Sequence, residues 1–193
     1  MNLANRDITL LSNPVGIDYV IQNIQLALSS IPWLEKSFGK ALRYTEEREG
    51  SDYLIPKTYY KNKEYTPLDP DDTVKAFSFL YEDDPSSVTG IGKTRFNTTL
   101  NLVVFANLKL IDTKDELFIE ELINDVYSVL LDRKNMKVYN SIDNVNNIFK
   151  WLPNAYADFS IPNEKKWIKE NYAAFRINFD VVYKQLDKIC QIS

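Results

Sequence analysis

Residues 172–184 carry an alternating pattern that constrains the fold more than any other feature of the chain. From Phe175 to Val181 every second side chain is apolar, and those between them are polar. Successive side chains of a β-strand point to opposite faces of its sheet. The pattern therefore predicts a strand with one buried face and one wet or interfacial face. The outward positions are Arg176, Asn178, Asp180 and Lys184.

Shorter apolar stretches predict further strands. The stretches at 53–60 and 63–66 flank a polar pair and suggest a hairpin, in which Pro56 confines the first strand to an edge or a bulge. A strand is predicted at 74–81, a long one at 94–111 and a short one at 136–139. Because strands usually span about 5–6 residues, the long one is expected to contain a bulge or to project beyond the domain.

Apolar residues at helical spacing predict four helices, at 14–29, 33–42, 113–133 and 141–152. The first begins with Asn13 and Pro14, a favoured cap and first-turn residue. The third opens on the capping-box pattern Thr113–Glu116, and Pro153 ends the fourth.

These elements predict an α+β fold: an antiparallel or mixed sheet of four to six strands with helices packed on one face. Residues 1–12 are expected to form a flexible N-terminal arm, and residues 13–193 a single domain. A domain of this size buries about 70% of the surface of its unfolded chain, so it needs neither disulfides nor a metal for stability.

Charge and cysteine content narrow the function classes. The net charge of −4 argues against a protein that grips nucleic acid, which requires a basic face. Cys190 is the single cysteine, so a disulfide framework cannot form, and a reducing compartment is expected. No apolar run approaches membrane-spanning length, and residues 1–7 lack the order of a signal peptide. We therefore expect no membrane association.

Catalytic motifs are not recognisable. The chain has no histidine, which removes most acyl-transfer triads and most zinc sites. Residues 90–94 (GIGKT) resemble a phosphate loop, but the glycine required earlier is Ser87 and a strand follows where a helix is needed. The acidic residues at 69–72 lack calcium-loop spacing. We expect no catalytic, cofactor-binding or metal-binding residues and no enzymatic activity.

One enzymatic alternative stays open. A Mg²⁺-dependent nuclease holds its metal with acidic side chains and steadies the attacking water with a lysine. Asp71, Asp112 and Lys114 are the residues that would serve. Asp112 is equally well explained by the start of the third helix.

The segment from 82 to 95 is far longer than the connection a hairpin needs. It carries both signs of charge, and a ring subunit would order such a segment against its neighbour. A tolerated surface insertion explains it equally well. With the wet face of the last strand, this segment forms the candidate oligomer interface: Glu82, Asp83, Asp84, Lys93, Arg95 and Arg176.

The order of elements and three local phrases resemble the ring-forming proteins of tailed bacteriophages: tail terminators, tail-completion proteins and head–tail connector subunits. The phrases are 65–72 (YTPLDPDD), leading into 75–79 (KAFSF), and 172–177 (YAAFRI). The resemblance spans residues 14–184 in architecture and only these stretches in sequence.

The resemblance implies a structural virion protein that closes into a homo-oligomeric ring, a hexamer or dodecamer, around the DNA channel. Its other partners would be neighbouring connector or tail proteins. DNA would pass through without specific binding, and the virion would be assembled in the host cytoplasm. A non-viral adaptor domain that binds other proteins is the alternative that the same features allow.

Overall fold

The computed structural model describes residues 8–60, 63–83, 87–89, 95–111, 118–132, 141–161, 164–169 and 171–184. Within them the helices are α1 (Ile17–Leu28), α2 (Phe118–Leu131), α3 (Leu152–Ala155) and α4 (Glu164–Trp167). The strands are β1 (Lys36–Arg48), β2 (Ser51–Tyr60), β3 (Lys63–Pro67), β4 (Ala76–Glu82), β5 (Ser87–Thr89), β6 (Arg95–Asn107), β7 (Ser141–Lys150) and β8 (Tyr172–Lys184).

All these strands belong to one mixed sheet. Its order is β3-β2-β1-β4-β6-β8-β7, and the short β5 pairs with β6. β1 and β4 run parallel, and the other neighbours are antiparallel. The α+β class is confirmed, but the expectation of four to six strands is too low. The additional strands are β1 and β7, both predicted as helices, and the short β5, which lies in a segment predicted as a loop.

α1 and α2 cover the first face of the sheet. The apolar residues of that face form one buried cluster, to which every inward residue predicted for β8 belongs. The alternation in 172–184 therefore identified the buried face correctly. Representative members of this cluster are Ile24, Leu28, Leu122, Val126, Leu102, Val104, Phe175, Ile177 and Phe179.

α3, α4 and the residues after α3 cover part of the second face. The expectation that helices lie on one face is therefore wrong. The second face, expected to be wet or interfacial, is instead partly buried by these elements. β4 shows why: from Ala76 to Tyr81 every side chain is buried, so both faces of this strand need a cover. The second cluster includes Phe77, Phe79, Phe105, Leu152, Tyr156 and Trp167.

Two predicted helices are strands for different physical reasons. β7 pairs with β8 across two register shifts, between Ile142 and Asn144 and between Val145 and Asn147. Each shift interrupts the alternation of side chains, so the apolar residues imitate helical spacing. In the 33–42 stretch, residues from Lys36 onward form β1, which pairs with both β2 and β4. Pairing on both sides outweighs a weak helical pattern that already contained Gly39.

Gly39 permits α1 to lie close to β1. The buried Gln25 of α1 donates from Nε2 to the carbonyl of Ser37 at 2.7 Å, and Ser37 Oγ donates back to the Gln25 carbonyl at 3.0 Å. A Cβ at position 39 would lie 3.0 Å from Gln25 Oε1. Gly39 also falls where the β1–β4 register shifts, between Ser37 and Lys40.

The remaining predictions of helices and strands are correct in part. α1, α2, the β2–β3 hairpin, β4, β6 and β8 were predicted as the correct type of element. However, β2 lies between β1 and β3, so it is not an edge strand over its whole length. Pro56 pairs with Arg43 of β1 and precedes the first partner of β3, which is Lys57. β6 pairs with β8 through thirteen consecutive partners without the expected bulge. The helix start at 113–116 and the strand at 136–139 lie outside the described residues.

Candidate interaction surfaces

Glu82 and Asp83 form contacts within their own chain. Glu82 pairs with Lys40, which also lies 3.6 Å from Asp18. Burial is the largest single effect on Lys40 and opposes its charged form, but the hydrogen bonds and negative charges of Glu82 and Asp18 together raise the pKa of Lys40. Asp83 lies 3.6 Å from Arg43 and accepts a hydrogen bond from Asn101. Both acids therefore join neighbouring strands of the same sheet.

The rest of the predicted charged segment is only partly described. β5 pairs with the first residues of β6, so this connection contains a strand of its own. Arg95 is exposed. Asp84 and Lys93 lie outside the described residues.

Arg176 is buried and lies in the interior of its own chain. Its Nη1 donates to Asp158 Oδ2 at 2.7 Å and to the Tyr81 hydroxyl at 2.8 Å, and its guanidinium lies 4.6 Å from the centre of the Phe149 ring. Burial, followed by the hydrogen bond to Asp158, raises the pKa of Tyr81. The expectation that Arg176 lies on a wet strand face is wrong. Its side chain instead binds Asp158, which follows α3, and so holds this segment against the sheet.

The residues proposed for a nuclease do not meet in the described part of the chain. Asp71 accepts hydrogen bonds from the backbone N–H and the hydroxyl of Thr73, which is a local turn. Asp112 and Lys114 lie outside the described residues. Among the described residues, no three carboxylate, histidine or cysteine side chains converge as a metal site requires.

The face of the β1–β2–β3 sheet that carries tyrosines, called here the tyrosine face, consists of Leu42, Tyr44, Tyr59 and Tyr65. The rings of Tyr44 and Tyr65 are 5.0 Å apart, and those of Tyr59 and Tyr65 are 6.3 Å apart. A hydrogen bond to Tyr65 raises the pKa of Tyr44. Tyr59 and Tyr65 are 49% and 44% exposed, so aromatic surface reaches solvent.

Charged residues border the tyrosine face. Glu46 pairs with Lys57 and with Arg48, and these hydrogen bonds, that of Lys57 first, lower the pKa of Glu46. Arg48 also pairs with Asp69, with 2.6 Å between Arg48 Nη1 and Asp69 Oδ2. An aromatic centre with a charged rim has the composition of a protein–protein interface.

A second surface is the groove between α2 and β7, called here the α2–β7 groove. It encloses about 470 Å³, and residues of both elements line it: Glu120, Ile123, Asn124, Tyr127, Val145, Asn146, Asn147 and Ile148. β7 is the last strand of the described sheet, which places the groove at the opposite end of the sheet from the tyrosine face. Lys150 pairs with Glu120 at this end.

A third surface surrounds α4. Trp167 is buried, with its ring edge-on to Phe105 at 5.9 Å and to Tyr172 at 5.1 Å. Ile168 follows it in the chain and is 57% exposed. Lys165 and Lys169 are exposed beside it. We call Ile168 with these two lysines the α4 knob.

Sequence reasoning did not identify these three surfaces. The chain contains 12 tyrosines, and tyrosine is common at protein interfaces. However, Tyr44, Tyr59 and Tyr65 come from three strands, and β1 was predicted as a helix. In the run Lys-Lys-Trp-Ile at 165–168, two apolar residues follow two lysines. No periodic pattern in this run indicates that Trp167 is buried and Ile168 exposed.

Comparisons with known proteins leave these surfaces as the main guide to function. No protein-family model matches the chain, and no curated protein resembles it significantly in sequence. No helix in the described ranges combines the length and the apolar character needed to cross a lipid bilayer.

Proposed function

We propose that this chain is a structural virion protein of a tailed bacteriophage, a ring-forming subunit of the head–tail connector or tail terminator around the DNA channel. The observation that carries the proposal is the exposed tyrosine face. Contiguous exposed apolar surface with a polar rim marks a site of protein association. In this proposal the tyrosine face contacts a neighbouring connector or tail protein.

A closed ring requires two different surfaces that fit each other on adjacent subunits. The α2–β7 groove and the α4 knob are unlike surfaces on different elements, which makes them candidates for such a pair. A two-fold dimer would instead reuse one self-complementary patch.

The charge distribution agrees with a channel that DNA crosses without binding. The chain has a net charge of −4, and α2 carries acidic residues but no basic one. Affinity for DNA comes largely from basic side chains that displace counterions from phosphates. A wall that lacks an excess of them lets DNA slide past.

The test is the assembly state of the purified protein. Light scattering coupled to gel filtration should show a single species of fixed, even subunit number, and electron microscopy should show closed rings with a central opening. The same preparation should not retard duplex DNA at physiological salt. A protein that stays monomeric at all accessible concentrations would refute the ring.

The non-viral adaptor alternative rests on the same tyrosine face and makes a different prediction. An adaptor would remain a monomer and would lose partner binding when Tyr59 and Tyr65 are replaced by serine. The genes beside this one separate the two cases as well, because a connector gene lies among portal, capsid or tail genes.

A further inference from the structure

The α4 knob lies on a packed and hydrogen-bonded base. Trp167 packs edge-on against the stacked rings of Phe105 and Tyr172, and the backbone N–H of Tyr172 donates to the carbonyl of Lys169 at 3.0 Å. A neighbouring segment is fixed as well, since Leu108 N–H donates to the Asn171 carbonyl at 2.8 Å. The exposed Ile168 is therefore carried on an ordered base. Such a side chain loses little conformational freedom on binding.

The knob carries unpaired positive charge. Lys166 is neutralised by Asp72 at 2.9 Å, but Lys165 and Lys169 form no ion pair with the described residues. Glu164 is an exposed acidic residue on the same turn, and Glu170 follows Lys169 in the sequence. The surface thus consists of an apolar side chain flanked by two available ammonium groups.

The α2–β7 groove has the opposite character. Ile123, Tyr127, Val145 and Ile148 provide the apolar half of the lining. Glu120 and three asparagines provide the polar half. Glu121 is exposed on the same helix, which contains no basic residue. Lys150 forms an ion pair with Glu120. Asp125 accepts a hydrogen bond from Trp33 at 2.8 Å. Its volume of about 470 Å³ is within the range of protein binding pockets.

We propose that the α4 knob of one copy of this chain docks into the α2–β7 groove of a second copy. Ile168 would enter the apolar lining, and Lys165 and Lys169 would face the carboxylates of Glu120 and Glu121. Charge complementarity identifies the second copy as the occupant. This inference rests on the proposed function, because it names the contact that closes the ring.

The contact is heterologous. Each copy presents a knob and a groove on different elements, so one docking event leaves a free knob and a free groove for the next copies. Such contacts produce a ring when the rotation between subunits closes.

The test uses two single substitutions on the full-length protein. Ile168→Asp places a carboxylate on the knob, and Ile148→Asp places one in the groove. Each variant alone should be a monomer by light scattering. A mixture of the two should form a one-to-one dimer and no ring, because only one intact knob and one intact groove remain to meet.

Charge exchange provides a second arm. Lys165→Glu with Lys169→Glu should weaken association by about tenfold or more, as should Glu120→Lys with Glu121→Lys. Mixing these two proteins should restore association. Leu11→Asp is the matched control, since Leu11 is similarly exposed and belongs to neither surface. All variants should keep the far-UV circular dichroism spectrum of the wild type, because the substituted side chains are exposed. The melting temperature is not the folding control, because loss of assembly lowers it by mass action.

The outcomes separate the two proposals. A monomeric wild-type protein refutes the ring and this contact with it. A wild-type ring that persists in Ile168→Asp or in Ile148→Asp refutes the contact and leaves the ring function standing. A ring lost equally in Leu11→Asp also refutes the contact, because the loss would not be specific.

Discussion

At the scale of single residues, the ion pair of Arg176 and Asp158 joins a buried side chain to a partly exposed one. The Arg176 side chain is 8% exposed, whereas that of Asp158 is 40% exposed. The two partners therefore differ in what happens when the other is removed. A buried guanidinium left without its carboxylate stays desolvated, whereas the carboxylate regains water.

This difference in exposure predicts that substitutions of the two residues lower the free energy of unfolding by unequal amounts. Asp158→Ala should lower the free energy of unfolding by about 3–5 kcal/mol, since it leaves Arg176 buried and unpaired. Arg176→Met fills the space with apolar volume and should cost about 1 kcal/mol or less. Urea unfolding of both variants measures the difference. Equal costs would show that Arg176 is hydrated in the native protein.

Two buried tyrosines offer a comparison of the same kind. The Tyr81 hydroxyl bonds to Asp158 at 2.5 Å and to Arg176, whereas the Tyr156 hydroxyl is buried with no hydrogen-bond partner among the described residues. Tyr81→Phe should cost about 1–3 kcal/mol. Tyr156→Phe should be neutral within about 1 kcal/mol, or stabilising. Chemical denaturation at neutral pH tests both.

The same tyrosines predict how stability depends on alkaline pH. Burial raises the pKa of Tyr81 and that of Tyr156, so the folded state keeps protons that the unfolded chain releases. Stability from this source is complete below the unfolded pKa of about 10 and is lost as the pH rises through the folded value. Tyr156→Phe should reduce this loss. An unchanged alkaline slope would indicate that Tyr156 ionises in the folded protein.

At the scale of elements, β8 is the strand on which the first face depends. It pairs with β6 along its whole length and with β7 on its other side. Phe179 is fully buried between them, as the alternation predicted. Phe179→Ala should lower the free energy of unfolding by about 3–5 kcal/mol. The outward Val182→Ala is the control, and a loss below about 1 kcal/mol for Phe179→Ala would contradict this role.

The junction of α1 and β1 depends on the absence of a side chain at position 39. Gly39→Ala should destabilise the protein by about 1–2 kcal/mol, because the new methyl group presses on the Gln25 amide and its bond to Ser37. If that contact is the cause, combining Gly39→Ala with Gln25→Ala should cost less than the sum of the single changes. Strict additivity would place the strain elsewhere.

At the scale of the whole molecule, the sheet combines a doubly covered centre with open ends. β4, β6 and β8 are buried between the two clusters, whereas the tyrosine face and the α2–β7 groove lie toward the ends of the sheet. Such an arrangement places stability in the middle of the sheet and the candidate association surfaces at its ends. It would suit the ring subunit proposed above.

This arrangement predicts the order of native-state hydrogen exchange. Backbone amides of β4, β6 and β8 should exchange slowest, near the rate set by global unfolding. Those of β2 and of the second half of β1 should exchange faster in the monomer. Ring assembly should then slow exchange in β7 and around α4. Mass spectrometry of peptide fragments measures all three, and faster exchange in β6 than in β2 would contradict the proposed hierarchy.

The sequence by itself determined the elements whose patterns are local. The alternation of Phe175 to Val181 located β8 and its buried face, and helical spacing located α1 and α2. The α+β class followed from these elements together. Each of these elements carries one uninterrupted periodic pattern of apolar residues, which is visible in the sequence alone.

Only the tertiary structure decided the identity of β1 and β7, the cover on the second face and the burial of Arg176. In β7 the register shifts erase the period, and in β1 the deciding interactions come from β2 and β4, distant in sequence. Arg176 occupies an outward position of β8, and whether that position is wet depends on where residues 152–161 pack. A strand pattern specifies its two faces, but what covers each face is set by contacts between segments far apart in the chain.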